Sequence, residues 1–143
     1  MRSLKFRAWD KKSGEYRIVE SINFDRNGEV FMVTTVNKNF HDPWDQLPNE
    51  VVLEQCTGLK DKNGKEIYEG DIVLDYYDGD DAFIVEWDKD TASFTLTGTD
   101  HIVSVSFDNF YANKDLEVIG NVHENPELLL EDGYDNRPQP SYI

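Results

Sequence analysis

Apolar and polar residues alternate along the first 36 positions of the chain, which is the pattern of half-buried β-strands. Alternate residues from Leu4 to Ala8 are apolar, and so are the even positions from Tyr16 to Phe24 except Glu20. Val30 to Val36 is rich in β-branched residues. Asn27-Gly28 lies between the last two segments and favours a type I′ hairpin. The pattern therefore predicts a three-stranded N-terminal meander.

Residues 37–50 interrupt this alternation. Asparagine, aspartate and proline are frequent there, and they break regular structure. We interpret the segment as a junction loop with a single helical turn, held to the core by Phe40, Trp44 and Leu47. His41 lies in the same loop and is interpreted as a surface residue.

Alternation returns in the second half of the chain. Val51–Cys56 is predicted to be a short strand, and residues 72–107 are predicted to form a β-meander with short turns. Leu116–Ile119 reads as a closing strand. Asn125 is a suitable N-cap and Pro126 a suitable first helical residue, so a short C-terminal helix should follow.

These elements predict a mainly β fold in a single domain, residues 1–143. It would comprise an N-terminal β-meander with its junction loop (1–50), a central β-barrel-like unit with the short helix (51–130), and a polar tail (131–143). The central unit is expected to be SH3-like, because a Gly-Asp-Ile-Val segment, here Gly70–Val73, commonly enters a strand in such barrels.

Composition narrows the class of protein. The chain has 29 acidic and 14 basic residues, and its formal charge of −15 repels nucleic acids and anionic membranes at long range. A single cysteine, Cys56, excludes an internal disulfide framework and a cysteine-rich zinc site. The charged N-terminus does not resemble a signal peptide, and no apolar run is long enough to span a membrane. We therefore expect a cytoplasmic location.

No arrangement of residues predicts catalysis. The histidines have no motif around them, and Cys56 is interpreted as a small buried side chain rather than a nucleophile. The glycines lack the setting of a phosphate-binding loop. The acidic residues Asp78, Asp80 and Asp81 lack the spacing of a calcium loop. We therefore predict no enzyme activity, no cofactor and no metal site.

Two other uses of charge stay open. Basic residues of the N-terminus interleave with Phe6 and Trp9, and this mixture suits a single-stranded nucleic acid. Alternatively, the excess of carboxylates could imitate the phosphates of DNA and occupy a DNA-binding protein. The net charge argues against the first use and is the sole support for the second.

Three segments together resemble the YopX family of small phage and prophage proteins. They are Leu4–Asp10, Thr57–Val73 and Leu116–Leu129. The resemblance implies a prophage-encoded, cytoplasmic, mainly β protein and also supports self-association into a homo-oligomer. It supplies no catalytic residues and assigns no biochemical activity.

The sequence thus favours a non-enzymatic binding or accessory module whose partner is a host or phage protein. The expected contact surface combines an N-terminal aromatic residue, the central lysine-rich hairpin and the acidic loop that follows Tyr77. Its members are Trp9, Lys60, Lys62, Lys65, Asp78, Asp80 and Asp81.

Overall fold

A computed structural model describes residues 3–75, 81–98, 104–107 and 116–129. The chain divides into two compact units, Met1–Cys56 and Thr57–Ile143. The described residues form antiparallel β-strands and short turns, which confirms the predicted mainly β class.

The first sheet contains six strands in the order β4-β3-β2-β1-β5-β6. Antiparallel pairing of β1 with β2 and of β2 with β3 confirms the predicted meander. Strand β5 also pairs with β1 and continues past the boundary between the two units. The strands are β1 Phe6–Asp10, β2 Glu15–Phe24, β3 Val30–Val36, β4 Trp44–Gln46, β5 Val51–Lys60 and β6 Glu66–Tyr68.

Strand β2 does not bury its apolar even positions. Ile18 is 49% exposed, whereas Arg17 is 5% exposed and Val19 packs against the small core formed by Ala8, Val33 and Val51. Pairing of β2 with β3 shifts register at two points along the strand. Because a register shift exchanges the two faces of a strand, simple alternation assigns the wrong residues to the interior.

The junction segment is more regular than its composition suggests. It contains β4 and a 3₁₀ turn at Pro48–Glu50, which confirms the predicted helical turn. The predicted anchors were wrong, since Phe40, Trp44 and Leu47 are all exposed. The buried residue of the segment is Gln46, and a polar contact therefore holds it in place.

The N-terminal part of this sheet is strongly curved. Strands β2 and β3 lie between β1 and β4 in hydrogen-bonding order. In a flat sheet the ends of this series would be about 14 Å apart. Yet Gln46 of β4 donates its side-chain amide to Asp10 of β1 at 2.9 Å. The sheet must therefore curl so that β4 folds over the face that carries Asp10.

The second unit contains a five-stranded antiparallel sheet in the order β10-β9-β8-β7-β11. The predicted meander over residues 72–107 is confirmed, and β11 closes the sheet by pairing with β7. Closure into an SH3-like barrel stays a prediction. The strands are β7 Asp71–Asp75, β8 Asp81–Asp88, β9 Ser93–Gly98, β10 Ser104–Ser106 and β11 Leu116–Asn121.

The apolar core of this unit contains residues from several strands and Phe107, which directly follows β10. Leu59, Phe94 and Val118 pack around its edge. Its buried members are Ile67, Val73, Phe83, Val85, Leu96, Phe107 and Leu116.

The predicted C-terminal helix was wrong in type. Pro126–Leu129 forms a single 3₁₀ turn instead. The side chain of Asn125 turns back and accepts a hydrogen bond from the amide of Asn121 at 3.2 Å, rather than capping a helix. The polar tail, 131–143, lies outside the described residues. Over the ranges that are described, the chain has no helix long and apolar enough to cross a membrane.

The Asn-Gly turns differ from the predicted type I′ geometry. In the described residues, Ala92 is the one non-glycine with a positive φ, so Asn27 does not adopt the angle that type I′ requires. Gly28 has φ of +83° and donates its amide to the carbonyl of Asp25. This is a type I turn closed by a left-handed glycine, the usual form of a three-residue hairpin loop.

Candidate functional site

The central turn, residues 61–65, is built around the carboxylate of Asp61. Asp61 is 6% exposed, and its Oδ1 accepts hydrogen bonds from the amides of Asn63 at 2.8 Å and Lys65 at 2.9 Å. Its Oδ2 accepts the amide of Val118 at 2.9 Å. One carboxylate therefore closes the turn and also fixes it to strand β11.

The pKa of Asp61 reflects this environment. Burial favours the neutral acid and would raise the pKa. The amides of Val118, Lys65 and Asn63, together with the charge of Lys65, favour the carboxylate more strongly. The pKa of Asp61 is therefore held below its ordinary value, and the group is ionised at neutral pH.

The other polar residues of the stretch 57–73 also satisfy backbone groups. The hydroxyl of Thr57 donates to the carbonyl of Ile67 at 2.8 Å, and the carboxylate of Asp71 accepts the amide of Tyr68 at 2.8 Å. Gly70 has φ of +84°, donates its amide to the carbonyl of Val85 and accepts the amide of Val122. These residues shape and tether turns, which explains why the segment is so strongly patterned.

The lysines of the central hairpin are exposed on its surface. Lys60, Lys62 and Lys65 are all exposed and lie within six positions of one another. The amide of Lys62 donates to the carbonyl of Leu116 at 2.8 Å, which holds the tip of the turn beside β11. The structure therefore places these three predicted contact residues at the end of β5 and in the hydrogen-bonded turn that follows it.

A second turn, residues 25–29, reproduces the hydrogen bonds of the central turn. The carboxylate of Asp25 accepts the amides of Asn27 and Glu29 at 2.8 and 3.1 Å. Asp25 has no counterpart of the contact with Val118 among the described hydrogen bonds. Arg26 occupies the position of Lys62, and this exposed turn therefore provides a natural control for the central one.

Trp9 belongs to a cluster of side chains on strands β1, β2 and β5. Its ring packs edge-on against Tyr16 at a centroid distance of 5.0 Å, and the guanidinium of Arg7 lies 4.4 Å from the centre of the Tyr16 ring. Glu54 accepts hydrogen bonds from Arg7 and from Tyr16, both at 2.9 Å. Trp9 is half-buried there, and its packing on this sheet is a sufficient reason for its position.

The predicted acidic loop cannot be placed with the others. Asp78 and Asp80 lie outside the described residues, and Asp81 is located only as a backbone position in β8. In the part of the chain that the structure describes, no three histidine, cysteine or acidic side chains are arranged to hold a metal ion. Cys56 is buried, as predicted.

Three of the bases in residues 3–17 make internal contacts. Arg7 is bound to the buried carboxylate of Glu54, and Arg17 is itself buried. The ammonium group of Lys11 donates to the carbonyl of Asn49 at 3.0 Å. Internal contacts thus occupy three of these cations.

Sequence reasoning missed an open groove in the first unit, with a volume of about 750 Å³. One wall is formed by the first hairpin turn, residues 10–13. The opposite wall is formed by β4 and the 3₁₀ turn, which contribute Trp44, Asp45, Gln46 and Glu50.

A buried polar chain lies beneath this groove. Gln46 donates to Asp10, and the Oε1 of Gln46 accepts the hydroxyl of Thr35 at 2.6 Å. The same hydroxyl accepts the Nε–H of Arg17 at 2.8 Å, and Arg17 also donates to the carbonyl of Asp42. Two neutral side chains thereby connect a buried carboxylate with a buried guanidinium.

Asp10 is ionised in this chain. Burial would raise its pKa, but hydrogen bonds from Ser13, the side chain of Gln46 and the backbone of Lys12 lower it further than burial raises it. The net pKa lies below the ordinary value for aspartate. The carboxylate of Asp10 is therefore held in its charged form by neutral hydrogen-bond donors.

The signal for this chain is present in the sequence but weak. Arg17 occupies an odd position of β2, where alternation predicts solvent exposure if the even positions are buried. Gln46 lies in a segment that composition assigns to a loop. Their contact with Asp10 depends on the curvature of the sheet, which local patterns do not encode.

Comparisons with other proteins identify the family. The family model described as YopX protein matches residues 5–130. A search of curated proteins gives no match. The crystal structure of protein EF1440 from Enterococcus faecalis is similar, with a TM-score of 0.65 and 27% sequence identity over 91% of this chain and 100% of that chain. Because the family model matches residues 5–130, which is most of the chain, this chain belongs to the YopX family.

Proposed function

We propose that this chain is a non-enzymatic binding module of phage or prophage origin, acting in the cytoplasm on a host or phage protein. The lysine turn, defined by Lys60, Lys62 and Lys65, is the proposed contact surface. The observation that carries the proposal is the fixation of this turn by the buried carboxylate of Asp61.

A fixed turn favours binding for an entropic reason. A flexible loop loses conformational freedom when a partner orders it, and that loss weakens the complex. Here the backbone of the turn is already ordered by Asp61 and by the Lys62–Leu116 hydrogen bond. The three exposed ammonium groups are then presented together to an acidic partner surface, where complementary charge increases the association rate and the specificity.

Nucleic acid is the second candidate partner, and the structure offers it less support. The N-terminal bases proposed for that role include Arg7, which is bound to Glu54, and Lys11, which is bound to a backbone carbonyl. The acidic DNA-mimic alternative has the net charge of −15 as its sole support.

Capture of a partner from prophage-induced cells tests the proposal. The bait is the whole chain, and the variant carries Lys60→Glu, Lys62→Glu and Lys65→Glu. Arg26→Glu, Lys38→Glu and Lys89→Glu together form the matched control, since these exposed bases give the same change in net charge. We expect the first variant alone to lose the captured protein. An equal loss of capture in both variants would assign the effect to total charge and exclude the lysine turn.

The nucleic-acid alternative has its own measurement. Fluorescence-anisotropy titration with single-stranded and duplex oligonucleotides at low salt should show no binding at micromolar protein. Binding that weakens steeply with added salt would instead support nucleic acid as the partner.

Self-association is part of the same proposal. Large apolar side chains of the first unit, including Leu4, Phe24 and Phe40, are more than half exposed and supply area for contact between copies. The net charge of −15 opposes such contact at low salt. Light scattering should therefore show a larger mass at high salt than at low salt, and a monomer under both conditions would exclude this part of the proposal.

A further inference from the structure

The groove of the first unit has the character of a ligand site that is separate from the lysine turn. Its volume of about 750 Å³ lies in the range of small-molecule sites. We propose that it binds a neutral saccharide whose sugar ring stacks on Trp44. Three features of the groove carry this proposal: its aromatic wall, its mixture of carboxylate and ammonium groups, and a buried amide.

Trp44 forms a pre-positioned aromatic wall. The guanidinium carbon of Arg17 lies 3.6 Å from the centre of the Trp44 ring and covers one of its faces. Arg17 is held in turn by Thr35 and by the carbonyl of Asp42. Trp44 is nevertheless 39% exposed, which leaves indole surface open to a ligand. The C–H groups on one face of a pyranose ring form an apolar surface that packs against such an indole.

The groove carries charges of both signs. Lys11 and Lys12 line it together with the carboxylates of Asp10, Asp45 and Glu50. Some of these groups already have partners: Asp45 accepts the hydroxyl of Thr34, Glu50 accepts the amide of Leu47, and Lys11 donates to the carbonyl of Asn49. An anion would meet carboxylates and a cation would meet ammonium groups. A neutral ligand rich in hydroxyl groups satisfies both walls, because each hydroxyl can donate to a carboxylate and accept from an ammonium group.

Gln46 supplies a buried donor at the base of the groove. It is 6% exposed, and its amide nitrogen uses one hydrogen to bind Asp10. An amide nitrogen carries two hydrogens. Among the described residues, the second hydrogen has no acceptor. Because a buried donor without an acceptor is unfavourable, a ligand hydroxyl at this point would be stabilised.

Titration calorimetry with maltotriose, cellotriose and triacetylchitotriose tests the proposal on the intact chain. We expect at least one of these probes to bind with a micromolar to millimolar Kd. Trp44→Ala should weaken that binding about tenfold or more, consistent with the loss of one stacking contact. Trp44→Phe keeps an aromatic ring at this position and should retain part of the affinity. It is the control for the possibility that Trp44→Ala loses binding because it unfolds. Absence of binding by all three probes would overturn the proposal.

Trp87 provides the matched control. It is also exposed, at 49%, and packs edge-on against Phe94 in the second unit. Trp87→Ala should leave saccharide binding unchanged, and an equal loss in both tryptophan variants would contradict the assignment. The variant with Lys60, Lys62 and Lys65 changed to Glu should bind the saccharide as tightly as the unmodified chain. This result would separate the saccharide proposal from the proposed function of the lysine turn.

Charged probes distinguish the ligand class. Since the ligand is neutral, raising the salt concentration should change its affinity less than about twofold. Inorganic phosphate and spermidine should not compete with it. Tighter Trp44-dependent binding of either ion than of any saccharide would overturn the proposal in favour of a charged ligand.

Discussion

At the scale of single residues, buried aspartates organise turns in both units. Asp10 and Asp61 each accept several hydrogen bonds and are nearly inaccessible to solvent. Hydrogen bonds lower the pKa of each group further than burial raises it. Such carboxylates stabilise the folded state only while they are ionised, so their contributions depend on pH.

The first prediction concerns Asp61→Asn. Asparagine can still accept two of the three amides, but its NH₂ group would face the amide of Val118, so we expect a loss of about 1–3 kcal/mol at pH 7. The folded-state pKa of Asp61 is lowered, and its stabilisation is therefore complete above the unfolded pKa of about 3.9 and lost as pH falls through the folded value. Urea unfolding at pH 7 and in strong acid measures the difference between the two chains.

That difference should shrink in acid. A loss that is equal at both pH values would contradict the ionised role of Asp61. Asp25→Asn is the matched control, because both amides in that turn bind the same oxygen, Oδ1, which asparagine retains. We expect this control to lose less than about 1 kcal/mol.

The second prediction concerns Gly120. A Cβ atom at this position would lie 2.5 Å from the Oδ1 of Asn125, the atom that accepts the amide of Asn121. Gly120→Ala should displace this side chain and reduce the free energy of unfolding by about 1–3 kcal/mol. In an Asn125→Gly background the obstacle is gone, so the same substitution should have a much smaller effect. A double-mutant cycle measures the coupling, and additive effects would refute it.

At the scale of elements, alternation predicted most of the strands, but it missed β4, ended β5 at Cys56 instead of Lys60, and did not predict which residues the strands bury. The meander, strand β5 and the second-unit strands follow directly from apolar periodicity and Gly-containing turns. The buried face of β2 does not, because its register shifts against β3. Likewise, Asn125 and Pro126 signal a helix start by composition, yet the side chain of Asn125 is already engaged with Asn121.

The groove was harder to predict than the lysine turn because its residues are distant from one another in the sequence. Lys60, Lys62 and Lys65 are close in sequence, so a hairpin alone brings them together. Trp44 and Arg17 lie on β4 and β2, and their contact reaches across β3. Contacts between distant positions depend on register and curvature, which a single sequence does not determine.

The third prediction tests the turn type at residues 25–28. In a type I turn Arg26 occupies the second position, where proline is favoured, and no described hydrogen bond uses its amide. Arg26→Pro should therefore leave stability unchanged or raise it by up to about 1 kcal/mol. Asn27→Pro is the control: it removes the amide that binds Asp25 and is disfavoured at the third position. Thermal unfolding that ranks the two variants in the opposite order would exclude this turn type.

At the scale of the whole molecule, a strongly acidic protein carries a compact basic feature. The formal charge is −15, yet three lysines are exposed on one turn that Asp61 fixes. Several residues of this segment shape the backbone, and its three lysines are exposed. We therefore separate the structural role of Asp61 from the binding role that we propose for the lysine turn.

Quantified capture from prophage-induced cells, combined with the unfolding free energy of each bait, tests this separation most directly. We predict that the Lys60, Lys62 and Lys65 charge-reversal variant remains folded yet captures at least about tenfold less of the partner, a change of about 1.4 kcal/mol in binding. The control with Arg26, Lys38 and Lys89 reversed should capture as much as the unmodified chain. Undiminished capture by the folded lysine-turn variant would contradict the account.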